Sequence, residues 1–453
     1  MEPEIIAHPR DRFTSRIGFI LASAGSAIGL GNIWRFPYQT GTNGGGAFVL
    51  MYLTMVFLVG VSLLLVEFSI GRHGGANAVD SYRKISRKFA WVGYLGVFTS
   101  FVILSYYSVV GGWTLYYTFQ SALGNLASVA PDQMGNFFGA FIGSPSAPIF
   151  YHFLFMFLTF AIVVRGISSG IEKYNRILMP ALFILLIVLV VRALTLPGAM
   201  KGLEWYLMPD FSKLTGGALV SAMGQAFFSL SLGLSVMVTY ASYLSRKENL
   251  IRSAVTVAVA DTSVAFLAGL VVFPVLFAFG GEPAGGPGLV FISLPAIFTQ
   301  MPFGSLFATV FFLLVVMAAL TSSISMMEVA VTYFVERWKI SRVKMSLIYC
   351  AACFLLGIPA SYSFGIWKGT IFFGMGIFDL FDYFVSNVSL PLCGLACTVL
   401  AGWFWNRKDI LDEVTNNGTL DFRLSNVWYG LVRYVIPAVV AVIFLNAVGI
   451  LKF

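Results

Sequence analysis

Long apolar stretches recur along the whole 453-residue chain and leave little room for anything else. Each has about 20 residues, which is enough for a helix to cross a hydrocarbon core about 30 Å thick. They lie near 16–40, 46–70, 90–122, 149–166, 174–194, 217–245, 251–279, 303–337, 341–360, 374–404 and 426–450, and we number them spans 1 to 11. Only 11% of the residues are charged, against about 25% in soluble domains. The sequence therefore predicts an all-α membrane protein with residues 1–453 in a single transmembrane domain.

Lysine and arginine residues are distributed unequally between the loops. The N-terminal tail and the loops after even-numbered spans hold most of them, including Arg72 and Arg83 in one loop and Arg337 and Lys344 in another. Positively charged loops stay in the cytoplasm, so we expect a cytoplasmic N-terminus and, after eleven spans, an extracytoplasmic C-terminus. The net charge of +8 follows from this asymmetry and does not indicate nucleic-acid binding.

Two spans contain glycine and serine clusters halfway along, at 25–32 in span 1 and at 228–235 in span 6. A helix in lipid must satisfy its own backbone, so such clusters need a reason. Interrupted helices at matching positions of two repeats indicate the midplane site of a transporter. The five-span offset predicts repeat one at about 16–194, repeat two at about 217–404 and an additional helix at 426–450. The alternative is that the small residues only allow close helix packing.

Polar and ionisable side chains inside other spans indicate further functional positions. Thr321, Ser322 and Ser323 place three consecutive hydroxyls in span 8. Hard oxygen ligands without an adjacent carboxylate favour a monovalent cation over calcium. Glu67 in span 2 and Asp261 in span 7 are costly inside a membrane and are therefore expected to have a role. We expect Glu67 to tie down unwound backbone rather than to meet substrate.

Several long segments resemble the neurotransmitter:sodium symporter family. They are Gly25-Ser-Ala-Ile-Gly-Leu-Gly-Asn32-Ile-Trp-Arg35-Phe-Pro37, Asn43-Gly-Gly-Gly-Ala-Phe48, Glu67-Phe-Ser-Ile-Gly-Arg72, Tyr106-Tyr107 with Trp113, Gln225-Ala-Phe-Phe-Ser-Leu-Ser-Leu-Gly233, Tyr240-Ala-Ser-Tyr243 and Leu320-Thr-Ser-Ser323. The resemblance covers essentially the whole chain. With eleven helices instead of twelve, the chain is similar to the bacterial branch that transports hydrophobic amino acids, tryptophan or tyrosine. The resemblance thus implies a bacterial inner (cell) membrane location and an inverted repeat of spans 1–5 and 6–10 with discontinuous helices 1 and 6.

The resemblance also implies a substrate site for an amino acid. The amides of Leu30 and Gly31 and the hydroxyl of Tyr107 would hold the carboxylate, and carbonyls near Phe228, Ser229 and Ser231 would take the ammonium. The side-chain pocket would be lined by Ile103, Phe228, Leu234, Ser322, Ser323 and Met326. These side chains are mostly apolar and carry no charge, which predicts a large apolar L-amino acid.

Two sodium sites follow from the same resemblance. The first sodium would be held by Ala27, Asn32, Ser229 and Asp261 and would touch the substrate carboxylate. The second would be held by Gly25, Ile28, Ala318, Thr321 and Ser322. No chloride is expected, because Asp261 stands where animal members carry asparagine and would supply a fixed negative charge. The position four residues later, where the familiar chloride-independent bacterial member has glutamate, is Ala265 here.

Gates are implied on both sides of the membrane. Arg35 and Asp382 would pair above Phe228 on the outside, and Arg10 would pair with Glu336 on the inside. The family's usual tryptophan near the inner arginine is Phe13 in this chain. Gly170 and Pro180 match a motif that would let helix 5 unwind and admit water to the second sodium.

The combined prediction is sodium-coupled symport of a hydrophobic or aromatic L-amino acid into the cell by alternating access. The alternative of the same fold is a proton-coupled or uniport carrier. An enzyme is not expected, because the chain has no His-x-x-x-His sequence and we recognise no nucleophile–base or metal constellation inside the spans. The expected partners are the amino-acid substrate and the lipid bilayer, with no nucleic acid and no obligate protein partner evident.

Overall fold

A computed structural model of the protein describes residues 11–283 and 286–451, and this part of the chain is built from helices. Extended pairing within it consists of two isolated bridges, Gly45 with Pro209 and Phe372 with Met375. The prediction of an all-α membrane protein is confirmed.

Ten candidate membrane crossings match predicted spans. Eight are single helices, Gly46–Gly74, Arg87–Ala122, Ile167–Leu194, Leu250–Ala278, Gly304–Trp338, Arg342–Tyr362, Ile377–Phe404 and Ser425–Ala447. Two are bent pairs, Arg16–Ala27 with Gly31–Thr42 at 48° and Pro131–Gly143 with Ala147–Val163 at 73°. Span 6 consists of Gly216–Ser229 and Val236–Ala241. Each piece is shorter than the about 20 residues that a crossing needs, so the total of eleven stays a prediction.

Spans 3 and 8 lie at the centre of the bundle. In spans 3 and 8, 72% and 78% of the most apolar window is buried inside the protein, against 28% in span 5 and 22% in span 11. Span 5 exposes Ile184 and Ile187 on its outer surface. Large apolar side chains on an outer face suit a helix that contacts lipid.

The spans of the first predicted repeat pack against spans of the second. Span 1 packs against span 7, span 6 packs against span 2, and spans 3 and 8 pack on each other. Each of these contacts joins one predicted repeat to the other at equivalent places. The repeat boundaries at about 16–194 and 217–404 stay a prediction.

Both predicted breaks are present in the backbone. In span 1 the helix ends at Ala27, and Ile28 is extended with ψ 105° before helical structure resumes at Gly31. In span 6 three residues have a positive φ, namely Ser231 at 53°, Gly233 at 80° and Ser235 at 60°. Each break frees backbone N–H and C=O groups inside the bundle, where they need partners.

Glu67 supplies one of these partners. Its buried carboxylate accepts a hydrogen bond from the Gly233 amide at 2.7 Å. The prediction that Glu67 ties down unwound backbone is confirmed.

A short helix between spans 10 and 11, Arg407–Val414, is fastened to the end of span 2. Glu413 Oε1 accepts a hydrogen bond from Arg72 Nε at 2.5 Å, and the His73 ring lies 3.6 Å from the other carboxylate oxygen. Burial opposes ionisation of Glu413, but the hydrogen bonds from His73 and Arg72 outweigh it and lower its pKa. The carboxylate therefore stays charged at neutral pH and holds the loop to span 2.

Candidate functional site

The two breaks face each other across the centre of the bundle. Ser231 Oγ in span 6 donates to the Ser26 carbonyl in span 1 at 3.1 Å. Gln225 Nε2 in span 6 donates to the Gly31 carbonyl at 2.8 Å. Side chains of span 6 thus bond carbonyls on both sides of the break in span 1, which fixes the two broken helices against each other.

Four buried side chains beside the breaks form a carboxylate cluster, consisting of Asn32, Tyr52, Ser229 and Asp261. Asp261 Oδ1 accepts a hydrogen bond from Asn32 Nδ2 at 2.7 Å, and Asp261 Oδ2 accepts one from Ser229 Oγ at 2.7 Å. The Tyr52 hydroxyl lies 3.2 Å from Ser229 Oγ and 3.4 Å from Asp261 Oδ2. Three neutral donors therefore converge on one buried carboxylate.

The carboxylate cluster fits a sodium ion by its donor set. Asn32 Nδ2 lies within 3.1 Å of Asp261 Oδ1, the Asp261 carbonyl and Ser229 Oγ, so it occupies the position among three oxygens that a cation would take. In this orientation Asn32 Oδ1 accepts a hydrogen bond from the Gly29 amide at 3.0 Å. To offer Oδ1 to an ion, the Asn32 amide would have to turn and give up its present hydrogen bonds. Among the described residues no three His, Cys, Asp or Glu side chains converge as a metal site. A single carboxylate among neutral oxygens suits a monovalent ion.

A second group, the hydroxyl cluster, joins span 1 to span 8. It consists of the carbonyls of Gly25, Ile28 and Ala318 and the hydroxyls of Thr321 and Ser322. The Ile28 carbonyl, exposed by the break, lies 3.4 Å from Thr321 Oγ1 and 3.3 Å from Ser322 Oγ. Five oxygens converging without a formal charge match the preference of a hard monovalent cation.

The predicted substrate groups meet between these two clusters. The Leu30 amide donates to the Tyr107 hydroxyl at 3.2 Å, so two of the expected carboxylate donors are adjacent. A cavity of about 20 Å³ lies beside them and is lined by Ser26, Ala27, Gly29, Gly31, Ile103, Tyr107, Phe228, Ser231, Leu234, Ser322, Met326 and Leu390. This volume holds about one water molecule, so an amino acid needs the pocket to widen.

Ser323 differs from its predicted place. Its hydroxyl donates to the Leu320 carbonyl at 2.8 Å and lies 2.8 Å from Thr159 Oγ1 of span 4, and Ser323 is not among the residues that line this cavity. The physical reason is helical geometry, since consecutive residues of a helix point in directions about 100° apart. Three adjacent hydroxyls therefore cannot all face one site.

A larger cavity of about 410 Å³ lies beyond Leu30 and Tyr107. Its lining includes both predicted outer-gate residues, Arg35 and Asp382. Within residues 11–283 and 286–451 no ion pair joins them: the Arg35 guanidinium lies 4.5 Å from the centre of the Phe228 ring, and Asp382 Oδ1 accepts from the Tyr106 hydroxyl at 3.0 Å. The predicted lid is thus assembled without its ion pair, with Phe228 bordering both cavities.

Of the two predicted inner-gate residues, the described part of the chain includes Glu336. Arg10 lies outside the described residues. Glu336 Oε2 accepts hydrogen bonds from the backbone and the side chain of Asn77 at 2.8 and 2.9 Å. Phe13, in place of the family's tryptophan, makes edge-on ring contacts with Phe19 and Tyr240.

The motif in span 5 coincides with a local widening of the helix. Gly170 lies inside the π-helical segment Ile167–Glu172, and Pro180 lies inside the following helix Lys173–Leu194. A proline lacks the N–H for the intrahelical bond, and a π segment already departs from the α-helical pattern. Span 5 is therefore weakened at both positions of the motif, while its unwinding stays a prediction.

Three contacts of the site were missed in the sequence. Tyr52 is one tyrosine within an apolar run, and Gln225 was noted in a motif without a role. Gly29 has the clearest signal, because a Cβ there would come within 2.4 Å of Ser322 Oγ and 2.8 Å of the Tyr107 hydroxyl. A glycine between a predicted substrate donor and a predicted ion ligand could have been identified as a required close approach.

A membrane bundle whose two discontinuous helices present oxygen clusters beside a central pocket has the architecture of a secondary transporter. The sequence model of the sodium:neurotransmitter symporter family matches residues 10–134 and 141–452, and the chain belongs to that family. It is a sodium-dependent transporter and not an enzyme.

Relatives and a solved structure agree with this assignment. An uncharacterized sodium-dependent transporter, YhdH of Bacillus subtilis, is 42% identical over 98% of both chains. A sodium- and chloride-dependent GABA transporter 2 of Rattus norvegicus is 28% identical over 89% of this chain and 75% of its own. The crystal structure of MhsT in complex with L-phenylalanine superimposes with a TM-score of 0.90 at 43% identity, covering 97% of this chain and all of MhsT.

Proposed function

We propose that this transporter carries a large apolar L-amino acid into the cell together with two sodium ions and without chloride. The observation that carries the substrate class is the lining of the central pocket. Ile103, Phe228, Leu234 and Met326 surround the space beyond the Leu30 amide and the Tyr107 hydroxyl. Apolar walls next to a pair of hydrogen-bond donors suit a molecule with a carboxylate at one end and an apolar side chain at the other.

Widening of the pocket is part of this proposal. The Leu30 amide and the Tyr107 hydroxyl bond each other at 3.2 Å, so a substrate carboxylate has to replace that bond. Met326 is unbranched and flexible and can move aside at low cost. L-Phenylalanine in the complex of MhsT supports the same class of side chain for a protein that is similar over the whole chain.

Coupling follows from the position of the carboxylate cluster. Asn32 is two residues from Leu30, so a sodium held by Asn32 and Asp261 would lie close to the substrate carboxylate. Opposite charges about 4 Å apart attract by about 4 kcal/mol at an effective dielectric near 20. Sodium and substrate therefore increase each other's affinity by the same factor.

The deciding experiment is uptake of labelled amino acids by proteoliposomes with and without an inward sodium gradient. We expect sodium-driven accumulation of phenylalanine, tryptophan or leucine and weak competition by glutamate, lysine or glycine. Uptake that is unaffected by removing sodium would instead favour the proton-coupled or uniport carrier. Selective uptake of glycine or glutamate would contradict the assigned pocket.

Orientation and location belong to the same proposal. We expect the N-terminus in the cytoplasm and the C-terminus outside a bacterial inner membrane, on the basis of the lysine and arginine distribution. Cysteine labelling with a membrane-impermeant reagent at an added C-terminal cysteine would test it. Labelling of intact cells is the expected result, and labelling only after lysis would reverse the assignment.

A further inference from the structure

Asn175 in span 5 has a buried oxygen with no hydrogen-bond donor among the described residues. The residue is fully buried, and its Oδ1 atom is unpaired. Its other amide atom, Nδ2, donates to the Ile171 carbonyl at 2.8 Å. A carbonyl accepts and cannot donate, so this bond fixes the orientation of the amide and leaves Oδ1 pointing the other way.

The unpaired oxygen lies against Gly25 of span 1. A Cβ on Gly25 would come within 2.2 Å of Asn175 Oδ1 and within 3.2 Å of the Met179 sulfur. Gly25 is one of the five members of the hydroxyl cluster, through its carbonyl. Asn175 Oδ1 therefore lies on the span 5 side of Gly25, next to a residue whose carbonyl belongs to the hydroxyl cluster.

A comparison with Glu172, three residues earlier, shows that Asn175 is not simply one more packing contact. Glu172 also contacts span 1, but its oxygens accept from the Thr14 amide at 2.7 Å and from Arg176 Nη2 at 2.5 Å. Both carboxylate oxygens of Glu172 therefore have hydrogen-bond donors. Asn175 offers a neutral amide oxygen that accepts no hydrogen bond from the described residues.

A buried polar atom without a partner needs an explanation, and an ion or an ordered water is the usual one. The neighbouring cluster already gathers five neutral oxygens, and hard cations take about six. We propose that Asn175 Oδ1 is a further ligand of the sodium in the hydroxyl cluster, reaching the ion directly or through one water. This inference rests on the proposed sodium coupling and extends it to span 5.

The assignment links span 5 to the ion through Asn175. The Ile171 carbonyl that orients Asn175 belongs to the π-helical segment Ile167–Glu172. A change in that segment would release the amide and withdraw an oxygen from the ion. The state of span 5 and the affinity for the second sodium are then linked reciprocally.

The test is equilibrium binding of radioactive sodium to the full-length purified protein without amino acid, using three variants. Asn175→Leu removes the oxygen, and Asn175→Asp keeps an oxygen and adds charge. Both lack the Nδ2 donor to Ile171, so they differ in the oxygen and in the charge that the carboxylate carries. Met179→Leu is the packing control, because Met179 also lies against Gly25.

We expect Asn175→Leu to weaken sodium binding by about three- to tenfold, the effect of losing one neutral oxygen contact. Asn175→Asp should bind sodium as well as the wild type or more tightly, and Met179→Leu should be unchanged. Equal weakening of both Asn175 variants would assign Asn175 a structural role and overturn the proposal, as would wild-type affinity in both. If Asn175→Leu does not fold, weaker binding by Asn175→Asp alone overturns it. A wild-type protein that binds no sodium would refute the proposed coupling itself, which separates the two failures.

Discussion

The two oxygen clusters differ in how they would offset the charge of an ion. The carboxylate cluster contains a buried acid, Asp261, surrounded by the donors of Asn32, Tyr52 and Ser229. The hydroxyl cluster contains carbonyls and hydroxyls with no formal charge. Its carbonyls accept long hydrogen bonds from the hydroxyls, such as those from Ser322 to Gly25 at 3.5 Å and to Ile28 at 3.3 Å. One site would balance an ion with a full charge and the other with dipoles, so the two should respond differently to mutation.

Neutralising Asp261 should have the largest effect. We expect Asp261→Asn to lower sodium affinity by more than about a hundredfold in chloride-free buffer, since a charge pair 4 Å apart contributes about 4 kcal/mol at an effective dielectric near 20. The measurement is a sodium titration of amino-acid binding. Asp379→Asn, at the outer cavity, is the control and should be near normal. Normal sodium affinity in Asp261→Asn would remove the distinction between the clusters.

Removing the Tyr107 hydroxyl should have the next largest effect, on substrate rather than on sodium. Loss of a hydrogen bond to a charged carboxylate costs about 1.5–3 kcal/mol, so Tyr107→Phe should bind amino acid about ten- to a hundredfold more weakly. Binding is measured at saturating sodium. Tyr106→Phe is the matched control and should bind amino acid normally, because the Tyr106 hydroxyl donates to Asp382 in the outer cavity. Unchanged affinity in Tyr107→Phe would show that the substrate site lies elsewhere.

A single hydroxyl of the neutral cluster should matter less than the acid. Thr321→Val keeps the shape and removes one of five oxygens, and we expect sodium affinity to fall about tenfold, or about 1.4 kcal/mol. Ser323→Ala is the control within the same run of hydroxyls, since the Ser323 hydroxyl faces Thr159. An equal loss in both variants would mean that the hydroxyls act through helix packing and not through the ion.

Replacing chloride should have no effect on the wild type. Asp261 provides a fixed negative charge at the carboxylate cluster, so uptake with gluconate in place of chloride should be unchanged. Uptake that collapses without chloride would show that the acid is not sufficient to balance the ion. It would also place this chain with its chloride-dependent relatives such as the rat GABA transporter 2.

The positions of the spans were predictable because crossing a membrane requires a length and an apolar composition that can be recognised in the sequence. Spans 3 and 4 were predicted to end at 122 and to begin at 149, and the stretch between them contains the helix Met134–Gly143, which was not predicted. That helix is held by tertiary contacts, such as the stacking of Phe141 on Tyr116 with ring centres 3.7 Å apart. A short helix that depends on packing gives no periodic signal strong enough to recognise.

The sequence by itself determined that the chain crosses the membrane many times and that spans 1 and 6 are broken. These properties depend on residue type and spacing, which the chain carries locally. The tertiary structure alone decided that Tyr52 joins Asp261, that Ser323 faces Thr159, and that the side-chain oxygen of Asn175 faces Gly25. Such contacts join residues far apart in sequence, and their geometry is set by how whole helices pack.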